Sequence, residues 1–482
     1  MNSRNIALDD IITILEEKKP LHTVLLASLK SIEDKRDKAF VARLVRGSVE
    51  RAYSIDRIID SVSSVKVKKQ KTVIRNILRS GIYQILFMDS VTDFAACDES
   101  VKLAGKRGFR NLQGFVNGVL RNICRKKEEL LKDLYITEQY IDEAATTTDE
   151  VATDETVTDE AVALDYRYSV PSWIADDFCG SFGKEKAKNA FAYFLKENDI
   201  SIRVNTSRIT LKSFEEKFLS QTDKGETGEI RLEKNRYLDK CYRISDTGSI
   251  EELPQFKDGL FVVQDMSSAL VGYICEGITD IRADKKANAD KFRALDLCAA
   301  PGGKSLYLAD LGIKVTSCDI SEQKLKLIEE NATRCGFNNI EIKLNDATVF
   351  NSGFEGKYDI VLCDLPCSGL GIIGKKPDIK YNMTPEKIKE LAALQKSILK
   401  IAVKYLKNGG YFLFSTCTVT GEENKENLEY LKSVPGLSCV PLESFLPEGI
   451  KVQESQDNYI QILPGEYDSD GFFISLFKKT AE

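Results

Sequence analysis

A chain of 482 residues with 43% hydrophobic side chains can bury several cores and should hold two to four domains. The net charge of −6 argues against a nucleic-acid partner only until its distribution is read: residues 141–165 carry nine acidic side chains and no basic one, which leaves the rest at about +3. No apolar run approaches the ~18 residues of a membrane span, MNSRNIALDD lacks the order of a secretion signal, and twelve cysteines without a C-x-x-C pair beside one histidine, His22, argue against disulfides and zinc.

Up to about residue 135, apolar residues recur at helical spacing, as in Val41, Leu44, Val45, Val49 and Ala52, then Ile74, Ile77, Leu78, Ile82 and Ile85. They predict an all-helical domain over 1–135. Within it VKVKKQKTVIRNILR gathers Lys66, Lys68, Lys69, Lys71, Arg75 and Arg79 as a candidate phosphate-binding surface. The tract 141–165 repeats Thr-Asp-Glu from 148, 153 and 158 and has too little apolar surface to offset its ordering entropy, so 136–165 reads as a disordered acidic linker. Residues 166–255 mix the helical VPSWIADDFCGSFG with strand candidates SIRVN and CYRIS, a small α+β module. From 256 to 482 strands RALDLC, IKVTSCD, IEIKL, YDIVLCD and GGYFLFSTC alternate with helical patterns, which predicts an α/β, Rossmann-like domain on a doubly wound parallel sheet.

Ligands of such sheets lie beyond the carboxyl ends of the strands, where Asp296, Asp319, Asp346, Asp364 and Cys417 fall. The turn ALDLCAAPGGKS ends like a phosphate loop but has Cys298 where that loop needs a glycine, and no G-x-G-x-x-G is present. Asp319, fifteen residues past Lys304, can accept both hydrogens of a ribose diol; Asp346 can accept from an adenine amine or simply cap a helix. An adenosine compound without a pyrophosphate fits best, and S-adenosylmethionine is the expected cofactor. DLPCSGLG and STCT then place Asp364, Cys367 and Cys417 beside a methyl donor. Amino-directed methyltransferases resemble this site but carry an aromatic residue after the proline, where Cys367 stands.

These motifs resemble the RNA cytosine-5 methyltransferase family. LDLCAAPGGKS, DIS, NDAT, DLPCSGLG, PDIKYNMTPEKIKELAALQ and STCT fall in that family's order, and the whole chain is similar to its bacterial 16S ribosomal RNA branch, the RsmB (Sun, Fmu) type. RNILRSGIYQILFM and GFVNGVLRNICR look like the NusB-like helical domain of that branch, and FVVQDMSSALV like the lead-in to its catalytic domain. The resemblance implies cofactor positions at Cys298, Ala299, Ala300, Pro301, Gly302, Gly303, Lys304, Asp319, Asp346 and Asp364. It implies the nucleophile at Cys417 and a second cysteine, assisting product release, at Cys367.

The chemistry has a reason: carbon 5 of cytosine attacks a methyl sulfonium only after a thiolate has added to carbon 6. A protonated Asp364 donating to ring nitrogen 3 would drain charge from that adduct. The chain departs from the pattern in the acidic tract, in the loop 280–291 and at Phe94, where histidine is common. We expect a cytoplasmic monomer that acts on 16S ribosomal RNA before full subunit assembly, with no metal and no membrane partner. Two rivals stay open: a dinucleotide oxidoreductase, which leaves DLPCSGLG without a role, and a non-catalytic RNA-binding or antitermination factor, against which both cysteines weigh.

Overall fold

In the computed structural model, the described residues are 3–134, 164–196, 199–220, 230–279, 291–452 and 458–480. The linker expected at 136–165 and the loop 280–291 lie almost wholly outside them. The chain divides into two compact units, Met1–Lys196 with Ile373–Met383, and Glu197–Ile372 with Thr384–Glu482. Among the described residues no helix is long and apolar enough to cross a membrane.

The first unit is helical. Its helices include Lys35–Glu50, started by the Asp34 side chain accepting from the Arg36 and Asp37 amides, and Asp93–Lys106, started by Thr92. Every apolar position read from the spacing between Val41 and Ile85 is buried to 1% exposure or less. The helix Thr72–Phe87 is buried on nearly all its faces and forms the unit's axis.

Here the sequence misled in one respect. Lys66, Lys68, Lys69 and Lys71 are exposed, but Arg75 and Arg79 belong to a half-buried ion network. Arg79 grips Asp56 with two nitrogens at 2.7 Å each, while Arg75 and Asn76 donate to Glu16. Burial pushes the Glu16 carboxyl up, but these donors and the Arg79 charge outweigh it and hold the group down at about 2. Its folded value lies below the 4.5 of a free glutamate, so the stabilisation is complete above that pH and fades as pH falls toward 2. Over this window Glu16 should cost the unit about 1–2 kcal/mol, the network's exposed edge being screened by solvent. Thermal melts followed by Trp173, the single tryptophan and a residue of this unit, should show the acid-side loss, and Glu16→Gln should flatten it.

A second segment completes the helical core from far along the chain. Lys380, 2% exposed, donates to the Glu50 and Ser169 carbonyls at 2.6 Å each. Tyr381 stacks on Tyr53 at 4.9 Å and donates to the Val49 carbonyl.

The second unit holds two sheets. β1 (Ile200–Val204), β2 (Arg231–Lys234), β3 (Cys241–Ser245) and β4 (Phe261–Val263) form an antiparallel sheet in the order β2-β3-β1-β4. The stretch 166–255 is therefore divided: helices Ser172–Phe182 and Lys184–Leu195 fall in the first unit and these strands in the second. Buried Arg203 of β1 pairs with Asp310 at 3.2 Å, and Thr206 and Ser207 also donate to that carboxylate.

The larger sheet contains the five strands read from sequence, β5 (Arg293–Asp296), β6 (Lys314–Asp319), β7 (Ile340–Leu344), β8 (Tyr358–Asp364) and β9 (Leu406–Thr416). They run parallel in the order β9-β8-β5-β6-β7. The parallel sheet read from the sequence is extended at one edge. β12 (Phe472–Lys479) lies antiparallel against β9, with β10 (Leu437–Cys439) and β11 (Tyr459–Ile462) beyond it, so the sheet is mixed and has eight strands. Both faces are covered. Ile360 and Leu362 point toward helices Met266–Ile278 and Gly303–Asp310, Val361 and Cys363 toward Pro385–Ala402 and Lys425–Lys432.

Candidate active site

Five parallel strands with a common direction bring their carboxyl ends to one edge of the sheet, and the polar residues singled out in the sequence gather there. After β5 the chain turns sharply: the Leu297 amide donates to Leu362 and the Ala299 amide to Cys318, tethering the turn to both neighbouring strands. Gly302, at φ +106°, precedes the helix Gly303–Asp310, and its amide closes the turn on Ala299 at 2.7 Å. Ala299 is buried, Ala300 half-buried and Pro301 exposed. Burial pushes the Cys298 thiol up, with Asp296 adding to the effect, so this third cysteine of the edge is a poor nucleophile.

Asp296, at the end of β5, is 1% exposed, accepts from Ser305 through Oδ2 at 2.7 Å, and leaves Oδ1 buried without a partner among the described residues. Burial pushes its carboxyl up to about 6. Asp319 ends β6, 4% exposed, and accepts from the Ser321 amide. Asp346, past β7, accepts from the Thr348 amide and hydroxyl in a local turn, and no helix follows it, so the helix-cap alternative does not hold.

The densest chemistry lies where β8 and β9 end. Lys304, 7% exposed, sets its Nζ 2.6 Å from Asp364 Oδ2 and 3.0 Å from Ser268 Oγ, with the Phe472 ring below it at 5.1 Å. The other Asp364 oxygen accepts from Ser415 at 2.9 Å. Cys367, on the loop after β8, meets Cys417, after β9, with the sulfurs 3.2 Å apart. Contact with Cys417, then burial, push the Cys367 thiol well above its ordinary range. The loops are laced together, since the Leu365 amide donates to Ser415 and the Gly371 amide to Cys417. All twelve cysteines are free, and among the described residues no cluster of His, Cys, Asp or Glu could hold a metal ion.

Sequence reasoning thus found the thiols, the carboxylates and Lys304 but missed Ser268 and Ser415, which orient the Lys304–Asp364 pair. Ser415 stands two residues before the predicted nucleophile in STCT, a signal open to use. Ser268 lies within FVVQDMSSALV, but its role exists only once the helix Met266–Ile278 has packed.

Residues 285–478 match the family model of the 16S rRNA methyltransferase RsmB/F, and residues 1–125 that of the NusB family. A curated relative, "Probable ribosomal RNA small subunit methyltransferase B" of Bacillus subtilis, is 30% identical over 99% of this chain and 98% of its own. The ribosomal RNA small subunit methyltransferase B of Proteus mirabilis is 28% identical over 99% of both chains. Among solved structures, that of PH0851 shares the fold with a TM-score of 0.73 at 22% identity, covering 99% of each chain. With two family models matched in series and a relative aligned from end to end, the chain belongs to the ribosomal RNA small subunit methyltransferase B family.

Proposed function

We propose that this protein transfers a methyl group from S-adenosylmethionine to carbon 5 of a cytosine in 16S ribosomal RNA, through a covalent bond between Cys417 and carbon 6. The observation that carries this reading is the meeting of two thiols, 3.2 Å apart, beside the Lys304–Asp364 pair at one strand edge.

The residues of the edge suit the donor. Three carboxylates, Asp296, Asp319 and Asp346, stand at successive strand exits, and Asp296 keeps one buried oxygen without a partner. That acidic row favours a cationic adenosine ligand and disfavours a pyrophosphate. S-adenosylmethionine supplies an electrophilic methyl group on a sulfonium. Everything else falls to the chain. Cys417 adds as thiolate to carbon 6, and the Lys304–Asp364 pair presents a proton to ring nitrogen 3, which makes carbon 5 nucleophilic. Once carbon 5 has taken the methyl group it loses its hydrogen as a proton to water, the electrons of that bond restore the 5,6 double bond and expel Cys417 as thiolate, and ring nitrogen 3 returns its proton to the Lys304–Asp364 pair. Cys367, with its sulfur 3.2 Å from that of Cys417, stands where it can assist that release.

The exposed lysines 66, 68, 69 and 71 supply phosphate contacts for the RNA. Methyl-labelled donor incubated with 16S RNA and the protein should leave label in 5-methylcytosine alone. Label in another base, or none on RNA, would overturn the reading. Asp319→Ala should weaken donor binding by about 1–3 kcal/mol in calorimetry, the cost of a lost charged hydrogen-bond partner, and leave RNA affinity unchanged.

A further inference from the structure

The loops that carry the two thiols meet on a third group. Glu423 is fully buried, and no basic side chain pairs with it among the described residues. A carboxylate in that position is costly unless its oxygens are saturated by donors. They are. Oε1 accepts from the Ser368 amide at 2.8 Å and from Gln395 Nε2 at 3.0 Å, while Oε2 accepts from the hydroxyls of Ser368 and Thr420.

These donors are the immediate neighbours of the thiols. Ser368 follows Cys367, and Gln395 also donates to the carbonyl of Pro366, so the backbone on both sides of Cys367 is fixed. Thr420 lies three residues past Cys417, and Thr418 shares a 2.7 Å hydroxyl contact with Ser368. Asn427 orients Gln395 from behind at 2.8 Å.

We propose that Glu423 is a positioning residue: by tying the Pro366–Ser368 turn to the loop after Cys417, it sets the separation and aim of the two sulfurs. This rests on the cytosine-5 reading for its purpose, but not for its geometry. A glutamine would preserve the clamp, its oxygen accepting from the two N–H groups and its nitrogen donating to the two hydroxyls, which turn to accept. An alanine would leave four donors facing a void.

The test reads sulfur proximity without RNA. Diamide, a diazene oxidant, converts two nearby thiols to a disulfide and takes up their two electrons and two protons to become a hydrazine. In the native chain the sulfurs need close only from 3.2 Å to a bond of about 2.05 Å. Glu423→Ala should form the Cys367–Cys417 disulfide about tenfold more slowly, and its kcat should fall about 10²-fold with the donor KM nearly unchanged, as expected for loss of alignment. Glu423→Gln should restore both to within about threefold. Should Glu423→Ala fail to fold, the Ser368→Ala, Thr420→Val pair should show the same slowed disulfide. An unchanged disulfide rate in a folded alanine variant, or in that pair, overturns the proposal. Equal loss in Glu423→Gln also overturns it, because charge rather than the clamp would then matter. If disulfide formation slows but the wild-type protein methylates no cytosine, the clamp stands and the cytosine-5 reading falls.

Discussion

Cys417→Ala should abolish methyl transfer and leave no covalent protein–RNA species, whereas Cys367→Ala should accumulate one that survives denaturant. The two sulfurs are neighbours at 3.2 Å, so proximity cannot tell them apart, and the choice of Cys417 follows the family resemblance. Contact with Cys417, then burial, push the Cys367 thiol up, and the charges of Glu423 and Asp364 add to the effect. DNA cytosine-5 methyltransferases place their nucleophile after the proline, where Cys367 stands, so the opposite assignment has a real precedent in chemistry. Denaturing gels of labelled RNA mixed with each variant separate the two. An adduct in Cys417→Ala and none in Cys367→Ala would reverse the roles. The band should require an unpaired or loosely paired cytosine, because the base must leave its stack to reach the sulfur.

Asp364→Ala should lower single-turnover methyl transfer by about 10²–10³-fold, the usual loss when a charge-stabilising partner is removed from the transition state. The substitution strips Lys304 of its 2.6 Å carboxylate and strands a cation that is 7% exposed. It also removes the group that Ser415 orients. Asp364→Asn keeps the shape and a hydrogen bond without the charge, so its rate should fall between the two. Rapid-quench measurement on protein of unchanged melting behaviour reads the step directly. A loss under tenfold in Asp364→Ala would remove this carboxylate from the proton path.

The contrast between what the sequence disclosed and what it hid follows the range of the interactions. β5, β6, β8 and β9 were legible because each contains an apolar run ended by a turn or a polar residue, and β7, IEIKL, because it alternates; the chemistry clusters at those ends. β10 and β11 have only three and four residues, too short for a pattern, and β12, FFISLFKK, is buried along most of its length and lacks the alternation of a half-exposed strand. Arg75 and Arg79 looked like surface charge because their partners, Glu16 and Asp56, are brought to them only by folding. Glu423 sits in the run GEEN, where a solvated helix start is the ordinary reading. Local pattern reports on what a residue is; long-range packing decides what it touches.

The buried segment Ile373–Met383 sets an order of events during synthesis. The helical unit has most of its chain by residue 196 but lacks Lys380 and Tyr381 until translation has passed residue 383. At roughly 5–20 residues per second, that interval is about 10–40 s, far longer than helices need to form. Throughout it the Glu50 and Ser169 carbonyls lack their lysine and Tyr53 its stacking partner. A fragment ending at residue 196 is held permanently at that stage.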